Sequence, residues 1–92
     1  LVPWQLAAAR TGAVLRAAPL HDDGSLDEDA FLALLGPKTR VVSFVWVSNA
    51  LGTVNPAKRL IASVRERAPE ALVLVDAAQA VAHLPVDVRE LG

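Results

Sequence analysis

The 92-residue sequence predicts an α/β fold with elements in the order α-β-α-β-α-β and a mainly parallel sheet. Helix-forming segments alternate with short apolar segments, which is the pattern of parallel strands joined by helical crossovers. Two apolar segments, residues 41–47 and 72–75, contain almost no polar side chain, as expected of strands buried on both faces. Hydrophobic residues make up 53% of the chain and charged residues 21%, which is a globular composition.

The first helix is predicted over residues 4–10, because Pro3 is favourable in a first helical turn and the following residues are good helix formers. Gly12 is the residue type that commonly ends a helix. Residues 13–18 are mostly small and apolar, and we predict a short strand there. Pro19 and the polar residues 21–24 then predict a loop.

Ser25 and Glu28 have the spacing of a capping box and predict the start of a second helix. The apolar side chains of this helix recur at helical spacing, at Phe31, Leu34 and Leu35. Gly36 and Pro37 end the helix, and the strand at 41–47 follows.

Pro56 predicts the start of a third helix, whose two faces differ in polarity. The apolar face consists of Ala57, Leu60, Ile61, Val64 and Ala68. The charged residues expected to face mostly outward are Lys58, Arg59, Arg65, Glu66 and Arg67. A last strand is predicted over residues 72–75, and Asp76 closes it.

The composition argues against several classes of function. The net charge is −1, so no basic surface is expected for nucleic acid or an anionic membrane. No apolar run reaches the ~18 residues of a membrane span. The chain has no cysteine, which excludes disulfides, zinc thiolates and thiol catalysis within these residues. His21 and His83 have no partner at ligand spacing, so no metal site is predicted. The composition fits a cytoplasmic protein.

Polar side chains follow two of the predicted strands. Asn49 lies just after the strand at 41–47, while Asp76 and Gln79 follow the strand at 72–75. In open parallel sheets, ligands bind outside the carboxyl ends of the strands, so these side chains are expected at one crevice. Each has a plainer interpretation, since Asp76 could cap the next turn, Asn49 could form a turn, and Gln79 could be a surface residue. Periodicity alone indicates part of an α/β domain.

At these strand ends the sequence resembles the class-V aminotransferase-fold enzymes, which use pyridoxal phosphate (PLP). Residues 47–56, VSNALGTVNP, are similar to the family's Ser-Asn-x-x-Gly-Thr-x-x-Pro segment. Residues 73–81, VLVDAAQAV, resemble its strand-end Asp-x-x-Gln motif, and residues 84–88, LPVDV, its Pro-Val-Asp-Val stretch. The opening residues 2–5, VPWQ, resemble the SUF-type cysteine desulfurases. The similarity extends over essentially the whole chain, with the elements in family order.

The resemblance implies that residues 1–92 are part of a PLP-binding large domain, incomplete at both ends. Asp76 would hydrogen-bond the ring nitrogen, and Gln79 would donate to the ring hydroxyl oxygen. Asn49 would lie near both the cofactor and the substrate carboxylate. The implied parent enzyme converts L-cysteine or a similar amino acid, forms a homodimer and passes sulfur to an acceptor protein, as in iron–sulfur cluster assembly. It is expected to be cytoplasmic and to bind neither nucleic acid nor membrane.

No catalytic residue is expected within the chain itself. The family's Schiff-base lysine belongs to a Ser-Gly-His-Lys motif that this sequence lacks, and neither Lys38 nor Lys58 is in such a motif. The sulfur-accepting cysteine is absent too, and so is methionine, so the chain is expected to be an internal segment that is inactive alone. Trp46 departs from the histidine expected at its position. Two alternatives therefore stay open: another class-V enzyme (an aminotransferase, selenocysteine lyase or kynureninase-like enzyme) and a non-catalytic α/β piece.

Overall fold

Five helices and two strands make up the fold in a computed structural model that describes residues 1–92. They are α1 (Val2–Thr11), α2 (Glu28–Leu34), β1 (Val41–Val45), α3 (Ala57–Arg67), β2 (Leu72–Asp76), α4 (Ala80–His83) and α5 (Val88–Leu91). The α/β class is confirmed. The predicted strict alternation is not, because two helices precede β1 and two short helices follow β2. None of the helices has the length and apolar character needed to cross a membrane.

The two strands form a parallel sheet in which α3 is the crossover between them. The register pairs Val41 with Leu72 at one end and Val45 with Asp76 at the other. Both strands therefore finish at the same edge of the sheet, as the sequence predicted.

Helix α1 matches its prediction closely. Pro3 lies in its first turn, and Gly12 ends it in the left-handed conformation with φ of 73°. The Gly12 amide donates to the Ala8 carbonyl at 2.9 Å, which satisfies one of the carbonyls left open at a helix end. No residue of α1 is buried, so the helix packs little against the rest of the chain.

The strand predicted at residues 13–18 does not form, and that prediction was wrong. All of these residues except the half-buried Ala18 are exposed, and no strand of the chain pairs with them. A strand needs a neighbour to receive its backbone hydrogen bonds, and small alanine side chains add little strand preference of their own.

The capping box predicted from Ser25 and Glu28 was also wrong, because Asp27 caps α2 instead. The Asp27 carboxylate accepts a hydrogen bond from the Ala30 amide at 2.9 Å. The Ser25 hydroxyl donates to the Asp23 carboxylate at 2.6 Å, within the turn that precedes the helix. Since the hydroxyl is engaged in that turn, it is not the helix cap.

Replacing Ser25 with alanine is expected to raise the pKa of Asp23. Hydrogen bonds from the Ser25 hydroxyl and then the Ser25 amide hold that pKa below its ordinary value of 3.8. A pKa lowered by folding means that these bonds stabilise the fold above pH 3.8, and that the contribution disappears as the pH falls through the lowered pKa. An NMR titration of the side-chain carboxyl carbon measures the shift. Ser63→Ala is the control, and an unchanged Asp23 titration in Ser25→Ala would contradict the prediction.

The core lies between the helices and one face of the sheet. Helix α3 buries the predicted residues Ala57, Leu60, Ile61 and Val64, and Ala68 is buried just after its end. Leu60 and Val64 join a cluster that also contains Phe31, Val42, Ala68 and Ala71. The charged residues of α3 are exposed as predicted: Lys58, Arg59, Arg65, Glu66 and Arg67. The helical period therefore identified both faces of α3.

The opposite face of the sheet is uncovered, which corrects the expectation that both strands are buried on both faces. Val41 is 44% exposed, Leu72 72% and Leu74 53%. Side chains alternate along a strand, so these residues share the face opposite to the buried Val42. Parallel sheets are normally covered by helices on both faces, and this chain supplies helices to one face only.

Candidate functional site

A tight loop of residues 47–54 follows β1, and we call it the Asn49 loop. The Ser48 amide donates to the Thr53 carbonyl at 2.9 Å, which closes the base of the loop. Gly52 has φ of 72°, a conformation that glycine adopts without steric strain. Asn49 is exposed in the turn at the tip. The loop therefore presents the Asn49 side chain beyond the end of the strand.

Asp76 is the last residue of β2 and is exposed. Its Oδ1 accepts a hydrogen bond from the Ala78 amide at 3.0 Å, while its Oδ2 accepts none within the chain. This is the turn cap that the plainer interpretation predicted. The same bond fixes the carboxylate beside the strand end and leaves one oxygen free for a ligand.

Gln79 connects the two strand ends. Its Nε2 donates to Asn49 Oδ1 at 2.9 Å, across 30 positions of sequence. The structure thus places all three residues at the same edge of the sheet and brings Asn49 and Gln79 into contact. Their functional roles stay a prediction, because geometry alone assigns no ligand.

The free polar atoms at this edge complement the hydrogen-bonding groups of a charged heteroaromatic ring. Asp76 Oδ2 is an anionic acceptor, and the amide nitrogens of Asn49 and Gln79 have hydrogens that bond nothing in the chain. A pyridinium N–H and a ring oxygen are the complementary groups, so the three side chains fit the ring of PLP. They include no cation for a phosphate and no amine for a covalent bond.

The remaining candidates do not join this site. His21 and His83 are exposed, and no group of three or more His, Cys, Asp or Glu residues is close enough to hold a metal ion. A groove lies between residues 25–28 and the segment 53–59, which includes the last two residues of the Asn49 loop, but Asn49, Asp76 and Gln79 do not line it. Asn55, which lines that groove, is not among the residues predicted from the sequence, although its hydrogen bonds lead back to the strand end.

Comparison with known proteins identifies relatives over the whole chain. The family model described as Aminotransferase class-V matches residues 1–92. A cysteine desulfurase of Klebsiella pneumoniae subsp. pneumoniae is 51% identical over 92 residues, which are 100% of this chain and 22% of that protein. A cysteine desulfurase of Synechococcus elongatus is 48% identical over 91 residues, which are 99% of this chain and 14% of that protein.

A solved structure has the same local fold. The crystal structure of the cysteine desulfurase CsdA (S-sulfonic acid) from Escherichia coli matches with a TM-score of 0.87 and 33% sequence identity. The match covers 99% of this chain and 22% of that one, so the chain spans about a fifth of the length of that relative. Because the family model covers every residue, the chain belongs to the class-V aminotransferase family, as its two strand-end motifs predicted.

Proposed function

We propose that this chain is an internal segment of a PLP-dependent cysteine desulfurase. The whole enzyme would convert L-cysteine to L-alanine and leave the sulfur on an enzyme cysteine as a persulfide. The observation that carries the proposal is the Gln79–Asn49 hydrogen bond beside Asp76, at the carboxyl edge of a parallel sheet. Relatives named cysteine desulfurase that match all or nearly all of the chain support this reaction over others of the family.

When bound, PLP supplies a ring that acts as an electron sink. Asp76 holds its carboxylate at the strand end, and Oδ2 is free to accept a hydrogen bond from the ring nitrogen. A carboxylate in that place favours the protonated ring nitrogen, because the opposite charges attract. Because the Ala78 amide already binds Oδ1, the carboxylate loses little further conformational freedom when it binds the ring nitrogen.

Asn49 and Gln79 orient one another. The Gln79 Nε2 donates to Asn49 Oδ1, so the Asn49 amide must turn its two N–H donors away from Gln79. Those donors are placed to bind the carboxylate of an amino acid substrate. The second N–H of Gln79 is available for the ring hydroxyl oxygen. The three side chains thus bind and orient, while none of them is proposed to transfer a proton.

The groups that make and break covalent bonds are proposed to lie outside residues 1–92. They are the Schiff-base lysine and the cysteine that accepts sulfur, and this chain contains no cysteine. A histidine that stacks on the ring is proposed to lie outside these residues as well. The 92-residue chain is accordingly proposed to be inactive alone. A homodimer, a sulfur-acceptor protein and a cytoplasmic location are proposed for the longer protein on the same family grounds.

The test is to incubate the purified longer protein, loaded with PLP, with L-cysteine and dithiothreitol. We expect alanine and sulfide in equal amounts, because the thiol reductant releases the persulfide sulfur as sulfide. Trp46 replaces the expected histidine, so L-selenocysteine, L-kynurenine and an amino donor with a keto acid are assayed in parallel. Turnover of one of these without turnover of cysteine would support another class-V reaction. Failure of the protein to take up PLP, together with no turnover of any of these substrates, would support a non-catalytic α/β piece.

A further inference from the structure

Asn55 binds two successive carbonyl groups at the end of β1. Its side-chain Nδ2 donates to the Val45 carbonyl at 2.8 Å, and its backbone amide donates to the Trp46 carbonyl at 2.8 Å. The residue is half-buried, where a polar contact is less weakened by competing water. Asn55, the residue directly after the Asn49 loop, thus attaches the end of the loop to the strand that precedes it.

The Trp46 peptide extends this connection to the second strand. Its amide donates to the Asp76 carbonyl at 2.9 Å, while its own carbonyl accepts the Asn55 amide. Backbone bonds therefore run from Asn55 through Trp46 to Asp76. Of these bonds, only the one from the Asn55 side chain can be removed by a substitution, because the others join backbone groups.

The Asn49 side chain lies on the loop that Asn55 attaches to the end of β1. It is exposed at the tip of the loop, and its single hydrogen bond within the chain is the one from Gln79. A shift of the chain at Asn55 would move the tip of the Asn49 loop relative to Asp76. We propose that Asn55 is a positioning residue, which sets the place of Asn49 relative to Asp76 and thereby the affinity for the amino acid substrate. This inference rests on the proposed function for the role of Asn49.

Asn55 also has a structural role that the test must separate from positioning. It precedes Pro56 at the start of α3, and its carbonyl accepts the Ala57 amide at 2.8 Å. A purely structural role would lower the melting temperature without a specific effect on substrate binding. Thr39→Val is the matched control, because it removes another half-buried side-chain bond to the backbone, from the Gly36 amide at 3.0 Å.

The test compares Asn55→Ala, Asn49→Ala and the double variant in the longer PLP-loaded protein. Loss of one hydrogen bond that orders a binding loop is expected to raise KM for L-cysteine about fivefold to tenfold in Asn55→Ala. The kcat of Asn55→Ala should stay within about twofold of that of the unsubstituted protein, because the bound substrate and the transition state are weakened equally. In the Asn49→Ala background, Asn55→Ala should raise KM no further, because the two residues act through one contact. Additive effects, or an equal rise in Thr39→Val, would overturn the proposal.

Amide hydrogen exchange in the apoprotein gives a second readout that needs neither cofactor nor substrate. The Ser48 and Gly52 amides should exchange about tenfold faster in Asn55→Ala and stay unchanged in Thr39→Val. Unchanged exchange in Asn55→Ala would overturn the positioning role. If Asn49→Ala leaves KM unaltered, the proposed role of Asn49 fails, and exchange alone then decides whether Asn55 holds the loop. Asn55→Asp, which keeps the shape and loses the donor, replaces the alanine variant if that variant does not fold.

Discussion

Asp76→Asn in the longer protein is expected to lower kcat about 100-fold or more while leaving the fold in place. The asparagine keeps an oxygen that can accept the Ala78 amide, so the turn after β2 retains its cap. What the variant loses is the negative charge that would favour a protonated ring nitrogen. Asp76→Ala is expected to show a similar loss of activity and a small additional loss of stability, since it removes the cap as well.

Kinetics with L-cysteine, PLP absorbance and a melting curve together test this expectation. Asp87→Asn is the matched control, because Asp87 also accepts a backbone amide two residues on, from Arg89 at 2.8 Å, and lies outside the site. We expect that control to keep kcat within about twofold. Full turnover in Asp76→Asn would contradict the proposed role of Asp76 in binding the cofactor. Equal losses in both variants would indicate a general effect on folding.

The elements that the sequence predicted well are those with strong periodicity. Helix α3 has an apolar residue on one face at each turn from Ala57 to Val64, and every residue of that face is buried. The helical start at Asp27 was missed because Ser25 lies two residues earlier with an equally suitable hydroxyl. Only the turn around Asp23, which engages that hydroxyl, decides between the two caps. Short α4 and α5, with four residues each, contain too few turns to show a period.

The candidate site was predictable in part, for a topological reason. Parallel strands finish at one edge, so residues that follow two such strands meet there even though 30 positions separate Asn49 from Gln79. The direct bond between those two side chains depends on register and loop shape, which no local pattern encodes. Asn55 was missed because it occupies a variable position of its motif and acts on the backbone. The available signal was an asparagine next to proline after a glycine turn. That pattern indicates a turn residue more often than a side chain that holds a neighbouring strand.

The apolar composition of the two strands does not show which layers of the protein cover them. An apolar segment predicts burial, but the second layer that buries it must come from elsewhere in the chain. Val42 and Val73 face the core, whereas Val41 of β1 and Leu72 and Leu74 of β2 face outward. Leucine at such positions indicates a face that a further layer would cover.

Leu60→Ala is expected to destabilise the fold by about 3 kcal/mol. Leu60 is 1% exposed and lies in the core cluster with Phe31 and Val42, so the shorter side chain leaves a cavity that its neighbours fill only partly. Only ten of the 92 residues are buried, which makes each core side chain a large part of the total stability. Urea unfolding followed by far-ultraviolet circular dichroism measures the change. A loss below about 1 kcal/mol would contradict the packing described for α3.

Leu72→Ala is the matched control, because it removes the same atoms from a side chain that is 72% exposed. In the 92-residue chain it should change the free energy of unfolding by no more than about 0.5 kcal/mol. In the longer protein the same substitution reports on the second face of the sheet. A loss there of about 2 kcal/mol or more would mean that another segment covers Leu72, whereas a loss near zero would mean that the face stays open to solvent. Leu60→Ala is expected to cost the same in both, since its surroundings are complete within this chain.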